Sequence, residues 1–283
     1  MGFSGIACIA LIIVNLIFSY RGLTNEVFFD GYKFEVDKIL ISKDYKRLFT
    51  SGFLHLSWTH LLFNMLSLYM FSLVLELQLG ELKFLLIYFA GMLGGDLLAL
   101  FIHRHHGDYS MAGASGAVCG IVFASIALLP GISLGFPGIP IHIPGWLYGL
   151  GYVIYTIYGI RSKSGNIGHE AHLGGALVGM ATAIAMEPSA LRTNYFPILI
   201  IAVPSLVFIY IVATRPHVLI TGNFSGRAEK KYYSIDEKYN SERAERQKEI
   251  DRILDKIAEN GMESLSKSEK QMLDEYSKTM QKK

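Results

Sequence analysis

Fifty-two consecutive residues, Tyr109 to Ile160, contain no Asp, Glu, Lys or Arg. A soluble fold cannot hide an uncharged run of that length, whereas a chain that crosses a bilayer repeatedly is built from such runs. Charge elsewhere divides the same way: of the 50 charged residues, 27 lie in positions 222–283, leaving 23 for the first 221. With 51% hydrophobic residues and a mean hydropathy of +0.34, the first 221 positions read as membrane-embedded and the rest as a soluble tail. A soluble globular enzyme, a disordered chain and a disulfide scaffold are excluded. Cys8 and Cys119 fall in apolar runs and say nothing about redox compartment. No dense basic stripe suggests nucleic acid. Met1–Tyr20 lacks a basic leader and is expected to remain as an anchor.

At 1.5 Å per residue a span takes about 20 residues. Seven stretches qualify: 3–20, 59–79, 83–102, 113–130, 142–160, 170–187 and 195–213. The expected fold is therefore all-α and polytopic. Arg21–Trp58 is a long amphipathic loop suited to the interface, and Pro130, Pro137, Pro140 and Pro144 punctuate the fourth connection. In the tail, a helix at Ser241–Ala258 and a second at Glu269–Lys278 after a capping run predict a helical hairpin. The expected divisions are 1–190 for the core membrane domain, 191–215 for an additional span and 216–283 for the tail.

Polar groups inside apolar spans are costly, so each marks a candidate site. Ser115, in Gly113-Ala-Ser-Gly116, opens the fourth span, where unpaired N–H groups and the helix dipole would stabilise an oxyanion. For an isolated serine in such a motif a bare N-cap is the commoner explanation, by about four to one. Packing argues further: Gly116 and Gly120 on the fourth span, and Gly175 and Gly179 on the sixth, form small faces that permit close approach. If those faces meet, His172 reaches Ser115 as a general base. No carboxylate stands at matching depth, so a Ser–His dyad is expected rather than a triad. His60 and Asn64, at i and i+4, would project donors toward a common point.

Leu48–His55, His60-x-x-x-Asn64, Gly113-Ala-Ser-Gly116 and Ala171-His-Leu-Gly-Gly-Ala176 together resemble the rhomboid family of intramembrane serine proteases, in order, spacing and placement on spans two, four and six. The likeness covers roughly residues 5–190. It implies a six-span core in which Ser115 is the nucleophile and His172 the base. His60 and Asn64, with the Ser115 N–H, would form the oxyanion hole, and Glu76 matches a structural glutamate. It implies transmembrane protein substrates with small residues at the cleaved bond, and no metal or organic cofactor. There are departures. Cys119 stands where the family often has an aromatic ring, so the imidazole is expected to lose a stacking partner, and Lys46-Arg47 keeps only the arginine of a Trp-Arg pair.

The expected setting is multi-pass, in a bacterial plasma membrane. The motifs orient the site and tail to the outside, although the positive-inside rule alone favours the reverse and Pro197 and Pro204 would permit a re-entrant seventh segment. The rival is a catalytically silent rhomboid-like protein that binds membrane clients. A transporter built on Asp96 lacks the expected inverted repeat. A zinc protease needs H-E-x-x-H, but His169 and His172 are three apart. His169 and Glu170 are expected at the membrane surface beside Asn166, and His103–His106 in a solvated loop.

Overall fold

The computed structural model describes residues 5–135, 142–162, 168–214 and single positions between 250 and 273. Asn166, Pro137, Pro140 and most of the expected tail helices lie outside the described residues. The architecture is all-α and polytopic. Among the described residues seven longer helices follow in chain order: α1 (Ile6–Thr24), α5 (Trp58–Leu79), α6 (Glu81–His103), α7 (Ser115–Leu128), α8 (Gly145–Ser162), α9 (His169–Met186) and α11 (Tyr195–Thr214). Four of them, α1, α5, α6 and α11, are long and apolar enough to cross a membrane on length and composition. Short helices α2 (Glu26–Tyr32), α3 (Val36–Leu40) and α4 (Arg47–Thr50) fill the first loop, and α10 (Ala190–Thr193) precedes α11. Chain contacts separate two compact units, Met1–Ser225 and Gly226–Lys283.

The membrane unit carries apolar side chains on its outside as well as in its core. Leu62, Phe63, Leu66, Met70, Val74 and Leu77 stand exposed along one side of α5, where only lipid makes them comfortable. At the centre stands α7, with every residue after Ser115 buried. Its 14 residues reach about 21 Å, short of a hydrocarbon core of about 30 Å. Before Ser115 the chain runs as irregular backbone with Ala112 and Ala114 buried, and such backbone is tolerated at membrane depth where protein encloses it.

Helices α6, α7 and α9 pack backbone to backbone. A Cβ on Gly175 would strike the Gly116 carbonyl, and one on Gly179 the backbone of Gly120. Gly91 of α6 closes the third side, its added Cβ 3.1 Å from the Gly120 Cα. Small residues remove the side-chain thickness that otherwise keeps helix axes 8–10 Å apart, roughly.

Polar anchors fix the ends. The Glu76 carboxylate near the end of α5 accepts the N–H groups of Gly5, Ala7 and Cys8, each at 3.0 Å, which caps the start of α1. Gly80, at φ +80°, turns the chain between α5 and α6 in one residue, a conformation that disfavours any side chain. Asn194 donates to the carbonyls of Ile126 (2.6 Å) and Ala127 (3.0 Å), closing the end of α7. Helix α11 runs unbroken through Pro204.

The first loop is folded. Buried Arg47 donates to Asp44 (3.0 Å) and to the carbonyls of Asp30 (2.9 Å) and Lys33 (2.7 Å). Strand β1 (Phe34–Glu35) pairs antiparallel with β2 (Ser110–Met111), carrying the loop against the segment that leads into Ser115. A second ladder joins β3 (Ser133–Gly135) to β4 (His142–Pro144). In the tail unit, the Ser266 N–H donates to Glu269 (2.7 Å) while the Glu269 N–H donates to the Ser266 hydroxyl (3.2 Å), a reciprocal capping box. That bond and Lys256 hold the Glu269 carboxyl down to about 2.

Candidate active site

Ser115 is the first residue of α7, and His172 lies in the first turn of α9. The glycine seam between these helices sets the two starts side by side. Ser115 Oγ is 2.7 Å from His172 Nε2, inside the range a general base needs. Both side chains are half-buried.

The preceding backbone is shaped by contact. Gly113 has φ +153°, and a Cβ there would sit 2.8 Å from Cε1 of His60 and 3.6 Å from Ser115 Oγ. His60 therefore lies against the loop on the side of the hydroxyl. Its N–H is taken by Ser57, the N-cap of α5, at 3.1 Å. Asn64 is buried one turn on, and its Nδ2 donates to the His60 carbonyl at 3.0 Å, leaving that amide a second proton. The Gly113 N–H donates to the Ser51 carbonyl at 3.1 Å.

Three groups that sequence reasoning did not assign complete the surroundings. His55 accepts the Ala114 N–H at Nε2 (3.4 Å), and its Nδ1 faces Ser19 Oγ at 2.7 Å. Ser19 in turn donates to the Phe53 carbonyl at 3.0 Å, so one tautomer of His55, protonated on Nδ1, satisfies the whole chain. Burial first, and neighbouring His60 second, push the imidazole down to about 3. From α8, Tyr152 places its hydroxyl 2.9 Å from His172 Nδ1 and 3.2 Å from Cys119 Sγ. Its ring is stacked toward the imidazole, with centroids 6.1 Å apart and planes 28° apart. The expectation that Cys119 costs His172 its aromatic neighbour is therefore corrected: α8 supplies the ring that α7 does not.

His169 and Glu170, expected at the membrane surface, are enclosed by protein. Both are buried. His169 meets the Tyr155 ring edge-on and rests against Gly159. Glu170 faces His103 Nε2 at 3.1 Å and accepts from the Tyr109 hydroxyl at 3.5 Å. His103 is no solvated loop residue, since its ring stacks on Tyr109 at 3.6 Å. Burial, with Glu170 alongside, pushes the Tyr109 phenol well up. Asp96 accepts from Ser51 at 3.2 Å, which binds it to the first loop.

A rhomboid-domain family model matches residues 42–189, which hold Ser115, His172, His60 and Asn64. A second model, described as a family of unknown function (DUF6576), matches residues 233–279 in the tail. The chain is 33% identical over 146 residues to RHOMBOID-like protein 12, mitochondrial, of Arabidopsis thaliana, covering 46% of this chain and 43% of that protein. It is 28% identical over 203 residues to Rhomboid protease AarA of Providencia stuartii, covering 64% and 72% respectively. Rhomboid protein 1, mitochondrial, of Saccharomyces cerevisiae is 28% identical over 178 residues, covering 59% and 51%. The chain thus spans less than two thirds of the mitochondrial relatives.

Proposed function

The chain belongs to the rhomboid family, and from that premise we propose that it is an intramembrane serine endopeptidase that cleaves single-span membrane proteins. The observation that carries the reading is the 2.7 Å approach of Ser115 Oγ to His172 Nε2 at the start of a buried helix. Ser115 Oγ attacks the scissile carbonyl carbon while its proton passes to His172 Nε2. The carbonyl oxygen becomes an oxyanion at the positive end of α7, met by the Ser115 N–H, His60 and Asn64. Collapse breaks the C–N bond, and His172 returns the proton to the leaving amine. Water then enters, and its oxygen bonds to the acyl carbon as its proton passes to His172; the bond from that carbon to Ser115 Oγ breaks, and His172 returns the proton to Oγ. A bond inside the hydrocarbon region is otherwise shielded from water. The gap left by short α7 is where a polar cavity fits.

We take the site to face the extracytoplasmic side, in a bacterial plasma membrane. Relatives from mitochondria and from bacteria make multi-pass membrane residence the common ground. The test is cleavage of a panel of single-span proteins in liposomes by wild type and Ser115→Ala, alongside labelling with a fluorophosphonate probe. Wild type alone should cleave and label. A folded protein that captures panel members but neither labels nor cuts them would support the client-binding alternative and refute the protease.

A further inference from the structure

We propose that Tyr152, held by Cys119, is the positioning residue that keeps the Nε2 lone pair of His172 turned toward Ser115. This rests on the reading of His172 as the base.

Four side chains form one line: Ser115 Oγ, His172 Nε2 (2.7 Å), His172 Nδ1 to Tyr152 Oη (2.9 Å), and Tyr152 Oη to Cys119 Sγ (3.2 Å). Every link has one proton to share, so the line has two self-consistent polarities. In one, Ser115 donates to Nε2, Nδ1–H donates to the tyrosine oxygen, and the tyrosine O–H donates to the sulfur. In the other, every proton is reversed: the thiol donates to the tyrosine, the tyrosine to Nδ1, and Nε2–H to Ser115. Only the first can take the proton of Ser115.

The Tyr152–Cys119 link favours the first. A phenol is a better donor than a thiol, and the sulfur at 3.2 Å gives the phenol proton an acceptor other than Nδ1. With its proton there, Tyr152 turns a lone pair toward Nδ1. Cys119 is buried, and its contact with Tyr152 joins α7 to α8. The ring, stacked toward the imidazole, adds orientation to tautomer control. No carboxylate is required. A buried anion beside His172 would need its own partner in an apolar setting, whereas a phenol supplies the same acceptor without charge.

Where an ionised carboxylate orients the base of a serine protease, losing tautomer control costs about 10⁴ in turnover. Hydrogen bonds to neutral groups are roughly half as strong as charge-assisted ones, which sets the expected loss near 10²-fold. Tyr152→Phe keeps the ring and removes the acceptor. In the full chain, reconstituted in nanodiscs, kcat should fall about 10²-fold with KM within about twofold and the thermal midpoint unchanged. A role in packing alone would move the midpoint and spare kcat.

The second readout does not need activity. With nitrogen-15 histidine, the His172 resonance, identified by its loss in His172→Gln, should show Nδ1 protonated in wild type and a tautomer mixture in Tyr152→Phe. Cys119→Ala, which removes only the sulfur, should also mix the tautomers and decides the matter if Tyr152→Phe does not fold. An unchanged tautomer in whichever variants fold overturns the proposal while leaving Ser115-dependent cleavage standing. If wild type cleaves nothing, the protease reading fails, and the resonance still decides whether Tyr152 sets the polarity.

Discussion

Replacing Gly175 by alanine puts a methyl group where α9 now meets the backbone of α7. The added carbon would overlap the Gly116 carbonyl oxygen and lie 2.9 Å from the Gly116 Cα, against an ordinary carbon–carbon contact of roughly 3.5–4.0 Å. No flexible side chain is available to yield, so the helices must part by about 0.6–1.1 Å at that level. Gly116 adjoins Ser115, and the 2.7 Å bond to His172 would open beyond hydrogen-bond reach. A displacement of about 1 Å in a reacting group costs about 10²-fold in rate, and overpacking costs about 1–3 kcal/mol in stability. Two positions calibrate the effect. Gly91→Ala meets the Gly120 Cα at 3.1 Å and needs a shift of only a few tenths of an ångström. Gly151→Ala, inside α8, meets nothing within 4 Å and gains up to about 1 kcal/mol of helix propensity. Thermal unfolding and single-turnover cleavage should rank the three as Gly151→Ala unaffected, Gly91→Ala mildly impaired and Gly175→Ala nearly inactive. Gly175→Ala turning over at the wild-type rate would refute the claim that this seam sets the distance between serine and base.

Removing an oxyanion donor typically lowers turnover by about 10²–10³, so His60→Ala and Asn64→Ala should each lose kcat with little change in KM, and a wild-type rate would reduce that residue to packing. Glu76→Gln sets an amide proton against one of three N–H donors at the start of α1 and should cost about 1.5–3 kcal/mol in reversible unfolding, with faster hydrogen exchange at Cys8. His55 is held near 3 when folded and titrates near 6.5 when unfolded. Its contribution is therefore full above about pH 6.5 and is lost as pH falls toward 3, so His55→Gln should show a shallower acid decline than wild type, and equal slopes would contradict its buried neutral state. An alkaline phosphatase fusion after Lys283 should be active and the matching green fluorescent protein fusion dark, whereas the opposite pair would put the tail inside.

The charge-free run and the seven apolar stretches made the bundle legible, because lipid tolerates so few other patterns. The glycine pairs on the fourth and sixth spans carried their partner in their spacing. Gly91 did not, since one glycine in an apolar helix has no periodic mate that names its neighbour. Tyr152 was hidden for a related reason. Tyr148, Tyr152, Tyr155 and Tyr158 recur along α8 at helical spacing, and only the rotation of that helix about its axis selects which hydroxyl meets His172. Glu170 read as a surface residue because its partners, His103 and Tyr109, come from a turn about 60 positions earlier. A carboxylate's cost in an apolar setting cannot be judged from its own segment.

The bonds from Asn194 to the end of α7 also impose a chronology. The carbonyls of Ile126 and Ala127 receive their donor from a side chain 68 and 67 positions further along. At about 5–20 residues per second, a ribosome adds that stretch in about 3–14 s. For that interval the helix bearing Ser115 exists with its far end unfinished, and it is completed only when the turn before α11 arrives. A nascent chain stalled before Asn194 would hold serine and histidine alike, yet lack the clasp that seats the central helix. The arrival of Asn194 is thus a late step in maturation of the site, and stalled chains lengthened one residue at a time should gain protease resistance at α7 as residue 194 clears the exit tunnel.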